Sequence, residues 1–171
     1  MNQLEKGNAF RALHHRDGAF IIPNPFDAGS ARILAHLGFE ALATTSAGYA
    51  FTVGQRDNTI SREEMMLHVA AIAAATPLPV SADLEHGFGD DPDTVAETIR
   101  LGAEAGLVGG SIEDSTKRPD DPLYEIAQAA DRIRAAAEAA RALPFPFTLT
   151  ARAENFLVGK PDLNDTIRRL Q

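Results

Sequence analysis

The chain has 171 residues, 44% of them hydrophobic, with a net charge of −8 and no cysteine. That length suits one domain, residues 1–171, while the acidic balance argues against nucleic acid as a partner and the missing cysteines remove disulfides, thiolate nucleophiles and Cys-bound zinc. No apolar run approaches the ~20 residues of a membrane span, and no basic-then-apolar leader opens the chain, so a cytoplasmic location away from membranes is expected.

The first apolar run, Ala19–Ile22, reads as a strand. Asp27 caps a helix carrying Ile33, Leu34 and Leu37, which Gly38 closes. A second strand over Ala41–Thr45 runs into Thr44-Thr45-Ser46-Ala47-Gly48-Tyr49. Successive backbone N–H groups there can cradle a carboxylate, or form an ordinary strand-to-helix turn. Ser61 and Glu64 make a capping box, with Met65, Val69 and Ile72 on one apolar stripe.

The third strand, Pro79–Asp83, opens the most informative stretch, Ser81-Ala82-Asp83-Leu84-Glu85-His86-Gly87-Phe88-Gly89. Carboxylates two residues apart can converge on one hard cation such as Mg2+, directly or through water; solvated loop acids are the plainer alternative. Asp91-Pro92 starts the next helix, Val95 and Ile99 share its face, and Gly106 ends it. Leu107–Glu113 is the fourth strand, and a Glu ending a buried strand is costly unless paired or metal-bound. Ile126, Ala130, Ile133 and Ala137 keep helical spacing through an Ala-rich helix. Phe147–Arg152 is the fifth strand, followed closely by Glu154. Arg152 can grip a carboxylate or phosphoryl group with two hydrogen bonds, or pair with one of the neighbouring acids. His14, His15, His36 and His68 fall on helices and read as surface or packing groups, whereas His86 stands beside the acidic pair.

Strand–helix alternation of this kind means an α/β fold with a parallel sheet, open or closed. No G-x-G-x-x-G follows the first strand, which disfavours a dinucleotide fold. Chemically capable residues end the second to fifth strands, as in barrels that place their chemistry at the C-terminal face. The expectation is a TIM-type (β/α) barrel, incomplete here at about five β/α units, because eight need ~250 residues. Leu163, Ile167 and Leu170 begin a further helical stripe just before Gln171. Uncovered strand edges then favour a homo-oligomer, or a fragment without catalysis of its own.

These strand ends together resemble the isocitrate lyase/phosphoenolpyruvate mutase superfamily. The likeness starts at Pro23-Asn24-Pro25-Phe26-Asp27-Ala28-Gly29-Ser30-Ala31. It continues through Thr-Ser-Ala-Gly, Asp-Leu-Glu-His-Gly-Phe-Gly, Ile-Glu-Asp and Thr-Ala-Arg, in order over essentially the whole chain. The resemblance implies Mg2+ (or Mn2+) held by Asp83 and Glu85, with Glu113 acting through water. It implies that Ser46, Ala47 and Gly48 bind a substrate carboxylate, and that Arg152 stabilises developing negative charge. Asp57, in Gly54-Gln55-Arg56-Asp57, matches the acidic residue of the loop after the second strand. The implied activity is a lyase, hydrolase or mutase breaking a C–C or P–C bond of a small 2-oxo or 2-hydroxy acid, or a phosphonate, through an enolate.

Family lyases carry a Lys-Lys-Cys-Gly-His-type loop whose Cys moves a proton. Here Ser115-Thr116-Lys117-Arg118-Pro119-Asp120-Asp121 follows Ile-Glu-Asp instead, which argues against isocitrate as the substrate. Another metal-dependent oxo-acid barrel, of the aldolase or ketopantoate hydroxymethyltransferase type, shares the enolate chemistry and is the competing enzyme reading.

Overall fold

Pro23 and Pro25 decide how the first segment is used. The computed structural model describes residues 1–171, and it leaves Ala19–Ile22 extended but outside any strand ladder. Proline has no N–H to donate, so a ladder cannot continue through Pro23 and Pro25 just after that run. Pro23 and Asn24 instead touch the edge strand: the Ala43 amide donates to the Pro23 carbonyl at 3.1 Å, and the Asn24 side chain donates to the Ala43 carbonyl at 2.9 Å.

In chain order the elements are α1 (Gln3–His15), α2 (Ala28–His36), β1 (Leu42–Ala43), α3 (Ser46–Thr52), α4 (Arg62–Ala75), β2 (Val80–Asp83), α5 (Pro92–Glu104), β3 (Gly109–Glu113), β4 (Ser115–Arg118), β5 (Asp121–Leu123), α6 (Ile126–Arg141), β6 (Thr148–Arg152) and α7 (Leu163–Arg169). The main sheet is parallel, in the order β1-β2-β3-β6. It is an open sheet of four strands, not the five expected, and it does not close into a barrel. β4 and β5 form a separate antiparallel hairpin where the sequence suggests a plain loop. No helix is long and apolar enough to cross a membrane.

The sheet has two unlike faces. Val80, Ala82, Leu84 and Ile112 are buried in one hydrophobic cluster with Met65, Val69, Ile72, Val95 and Ile99 of α4 and α5. The alternate positions carry Ser81 and Asp83, Ser111 and Glu113, Thr150 and Arg152. Period-two alternation sends these to the opposite face. Ser81, Asp83, Ser111, Thr150 and Arg152 indeed line one open cavity of about 340 Å3. Phe10 of α1 lines the same cavity. It packs so close to Gly109 that a Cβ there would sit 2.8 Å from the ring.

The anticipated helix starts are all present. Asp27, Ser61 and Asp91 each accept a hydrogen bond from the third residue of their helix. Gly38 and Gly106 leave α2 and α5 with φ of 89° and 98°, the left-handed region glycine favours. Of the stripe expected on α2, Leu34 packs against the core beside the buried Ala31, whereas Ile33 and Leu37 are exposed. Leu163, Ile167 and Leu170 at the end of the chain are exposed as well. None of the exposed ones joins the α4–α5 cluster.

Arg132 is the largest fully buried side chain of the protein. From the Ala-rich α6 it reaches the loop after β2. There it donates to the backbone carbonyls of Asp90 at 3.1 Å, Gly89 at 2.8 Å and His86. Its guanidinium stacks on the Tyr124 ring, 4.0 Å from the centroid. The Tyr124 hydroxyl donates to Asp90 at 2.6 Å, and Arg118 holds the same carboxylate at 3.0 Å. One buried cation thus satisfies three inward-facing carbonyls and ties α6, the hairpin and the β2 loop together. Arg132→Ala should lower unfolding stability by about 3 kcal/mol, because buried carbonyls lose a charged donor. Arg132→Lys should recover less than half of that, since a point charge cannot serve three directions. Urea unfolding midpoints check both; a loss under about 1 kcal/mol for the alanine variant would mean water replaces the guanidinium.

Candidate active site

β2 delivers Asp83 to the centre of the polar face. Its Oδ2 accepts the Ser46 hydroxyl at 2.7 Å and the Ser46 amide at 3.2 Å. Its Oδ1 accepts the Glu85 amide at 3.2 Å and Arg152 Nη1 at 3.3 Å. The parallel register sets Asp83 opposite Ser111, and Glu113 opposite Arg152. Arg152 therefore reaches three acids at once: Asp83, Glu113 at 3.7 Å and Glu154 at 2.6 Å. Of the two readings of Arg152, the structure shows the pairing with neighbouring acids, with the side chain still 36% exposed.

Glu113 is buried at its strand end. Burial pushes its carboxyl up to about 7; Asp83, Glu154 and Asp57 push the same way, and Arg152 opposes them. Asp57 is exposed, just beyond α3, and joins the site through its charge. Glu85 meets a different cation from Asp83. It is 1% exposed, its Oε2 meets the Lys117 ammonium, and its Oε1 has no hydrogen-bond partner. In the sequence Lys117 lies in the loop that follows Ile-Glu-Asp. The hairpin inserts it into the site, and burial lowers its ammonium to about 8 against the opposing pull of Asp57 and Asp83.

Ser46, Ala47 and Gly48 are the first residues of α3, a short helix. The Ser46 amide is taken by Asp83 and the Gly48 amide by the Thr45 cap at 3.1 Å. Ala47 alone of the three keeps an amide without an internal partner. Behind α3, the ring of His68 stacks on Tyr49 with centroids 3.8 Å apart, and burial lowers His68 to about 4. His86 lies in the β2 loop; burial, aided by Arg132, lowers it to about 4 too.

No three His, Asp or Glu side chains are gathered tightly enough to hold a metal ion. Asp83 and Glu113 share Arg152, while Glu85 is drawn to Lys117. The donor chemistry nevertheless fits a hard cation. Five carboxylates, Asp57, Asp83, Glu85, Glu113 and Glu154, face only two cations, Arg152 and Lys117. The excess negative charge, the raised Glu113 and the unpartnered Glu85 oxygen are what an oxygen-seeking divalent ion would relieve.

Sequence reasoning missed Arg132, Tyr124 and Asp90, which shape the β2 loop without standing in any strand-end motif. An Arg on the apolar side of an Ala-rich helix was the available signal.

The sequence matches the phosphoenolpyruvate phosphomutase family profile over residues 10–171. A solved Burkholderia cenocepacia J2315 protein of proposed lyase/mutase activity superposes with a TM-score of 0.96 at 68% identity, covering 98% of this chain and 60% of that one. Oxaloacetate acetylhydrolase, solved with its product oxalate, aligns with a TM-score of 0.86 at 31% identity, over 96% of this chain and 58% of that one. The 2-methylisocitrate lyase of Salmonella typhimurium is 30% identical over 147 residues, 81% of this chain and 50% of the relative. The chain spans about half the length of the curated relatives it matches. Such relatives act as lyases, hydrolases or mutases on small oxo acids or phosphonates. The chain belongs to the phosphoenolpyruvate phosphomutase family, within the superfamily that its strand-end motifs resemble.

Proposed function

We propose that the protein is a divalent-metal-dependent lyase, hydrolase or mutase that breaks a C–C or P–C bond of a small 2-oxo or 2-hydroxy acid through an enolate of the substrate. The observation that carries this reading is the meeting of Asp83, Glu113 and Arg152 over one polar face, with carboxylates in excess. Asp83 and Glu113, with Glu85 as the further candidate, would hold the ion. A bound Mg2+ or Mn2+ supplies charge compensation and Lewis-acid polarisation of the oxo acid.

The chain's own groups would do the rest. Arg152 stands where its donors can shift from the acids to an oxygen gaining charge, a stronger interaction in the transition state than in the ground state. The Ala47 amide, at the start of α3, is the donor left free for a substrate carboxylate; the Ser46 hydroxyl would first have to leave Asp83. Glu113, near its half-protonated point at neutral pH, and the exposed Asp57 are the groups able to hold or move a proton. Oxaloacetate-like acids head the substrate list, because a relative acts on oxaloacetate. Isocitrate ranks low, because the chain has no cysteine and a hairpin occupies the place of the cysteine loop. The exposed apolar residues of α2 and α7 favour an assembly with further protein covering them.

Three outcomes test this reading. Turnover of small 2-oxo or 2-hydroxy diacids should vanish with a chelator and return with Mg2+ or Mn2+; robust isocitrate cleavage would refute the substrate assignment. Asp83→Asn should weaken Mg2+ binding at least about tenfold by calorimetry, since it removes the central charge; equal affinities would place the ion elsewhere. The third concerns pH. Glu113 sits above the ordinary 4.5 when folded, so the folded state holds its proton more tightly. That contribution is fully present below 4.5 and is lost as pH rises through about 7. In metal-free protein, Glu113→Gln should therefore match the parent Tm near pH ~4 and exceed it near pH ~8. A difference that does not change with pH contradicts the raised carboxyl.

A further inference from the structure

Glu85 is 1% exposed and carries a carboxylate, an arrangement that needs an opposing charge close by. The charge comes from Lys117, whose ammonium meets Oε2 and whose side chain is 17% exposed. Both residues hold a backbone that side chains disfavour, with φ of 52° at Glu85 and 60° at Lys117. Neighbouring contacts impose that backbone. The Glu85 amide is fixed on Asp83 Oδ1, and its carbonyl accepts the Glu113 amide at 2.9 Å. The hairpin is held from outside by Arg118 on Asp90. At position 117 the turn itself would suit glycine better. What lysine adds is a cation aimed inward, its ammonium 5.6 Å from the centre of the Phe88 ring, while Arg118 beside it faces solvent.

We propose that Lys117 is a built-in counter-cation for Glu85, so that the ammonium and a divalent metal ion compete for one carboxylate. The resting metal shell then rests on Asp83 and Glu113, and Glu85 serves to anchor the hairpin over the site. Sequence spacing alone pairs Glu85 with Asp83 as metal carboxylates; the hairpin reassigns it. This inference depends on the metal reading of the site, and its test separates the two.

The test is Mn2+ binding to the full chain, read from the free-ion electron paramagnetic resonance signal. Lys117→Gly suits the turn, and Lys117→Gln keeps a side chain; both should bind Mn2+ about tenfold or more tightly than the parent, because Glu85 becomes available. Glu85→Gln should stay within about threefold of the parent, and the Lys117→Gly/Glu85→Gln double variant should return to that level. Both lysine variants should also show a larger Mn2+-induced rise in Tm than the parent, which reads the same competition in a destabilised background. The proposal is overturned if the lysine variants bind Mn2+ no more tightly, or if Glu85→Gln alone weakens binding by about tenfold. Binding that depends on Asp83 but ignores Lys117 defeats this inference only. If the parent and every variant leave Mn2+ free, the metal reading falls and takes this inference with it.

Discussion

The carboxylate of Asp83 is the constraint on which the site depends. It ends β2, accepts two hydrogen bonds from Ser46 at the start of α3, accepts the amide of Glu85, and meets Arg152 from β6. Three segments, β2 with its following loop, the start of α3 and β6, are thereby referred to one side chain. Each bond is modest, about 0.5–1.5 kcal/mol for a neutral donor and more for a charged one. Their joint effect is geometric: the strand end, the helix start and the guanidinium cannot move independently. The buried Arg132 fixes the β2 loop by the same logic, through carbonyls rather than a carboxylate.

The charge balance follows from the two-faced sheet. Packing α4 and α5 against Val80, Ala82, Leu84 and Ile112 uses alternate positions for the core. The positions between them must face the other way, and the chain fills them with Ser, Thr, Asp, Glu and Arg. Carboxylates then crowd where strands end, with too few cations to neutralise them. Glu113 responds by holding its proton to about 7, which is how a buried acid avoids an uncompensated charge. The same crowding is what the proposed divalent ion would relieve.

Much of this was legible in the sequence, for local reasons. Ser61 with Glu64, and Asp91 with Pro92, announce helix starts within four residues, and the structure has both. Asp83, Glu113 and Arg152 were identifiable because each ends an apolar run, and parallel strands bring such ends side by side. Ala19–Ile22 misled because its composition suits a strand, while the prolines that exclude it from the ladder follow it. The β4–β5 hairpin and the contact of Lys117 with Glu85 were not legible. Their signal is a positive φ and a partner distant in the chain, neither of which composition reveals. Ile33 and Leu37 keep helical spacing yet are exposed, since periodicity shows that a face is apolar and not what covers it.

If this face stabilises an enolate with help from a divalent ion, proton exchange at the carbon beside the carbonyl reads that out directly, whichever bond is broken in turnover. The full chain would be incubated in D2O with pyruvate or 2-oxobutyrate, and deuterium at C3 followed by NMR. Incorporation should require Mg2+ or Mn2+, stop with chelator, and be lost in Asp83→Asn and Arg152→Ala. Exchange that proceeds equally without metal, or that survives both substitutions, would contradict an enolate held by Asp83, Arg152 and a divalent ion.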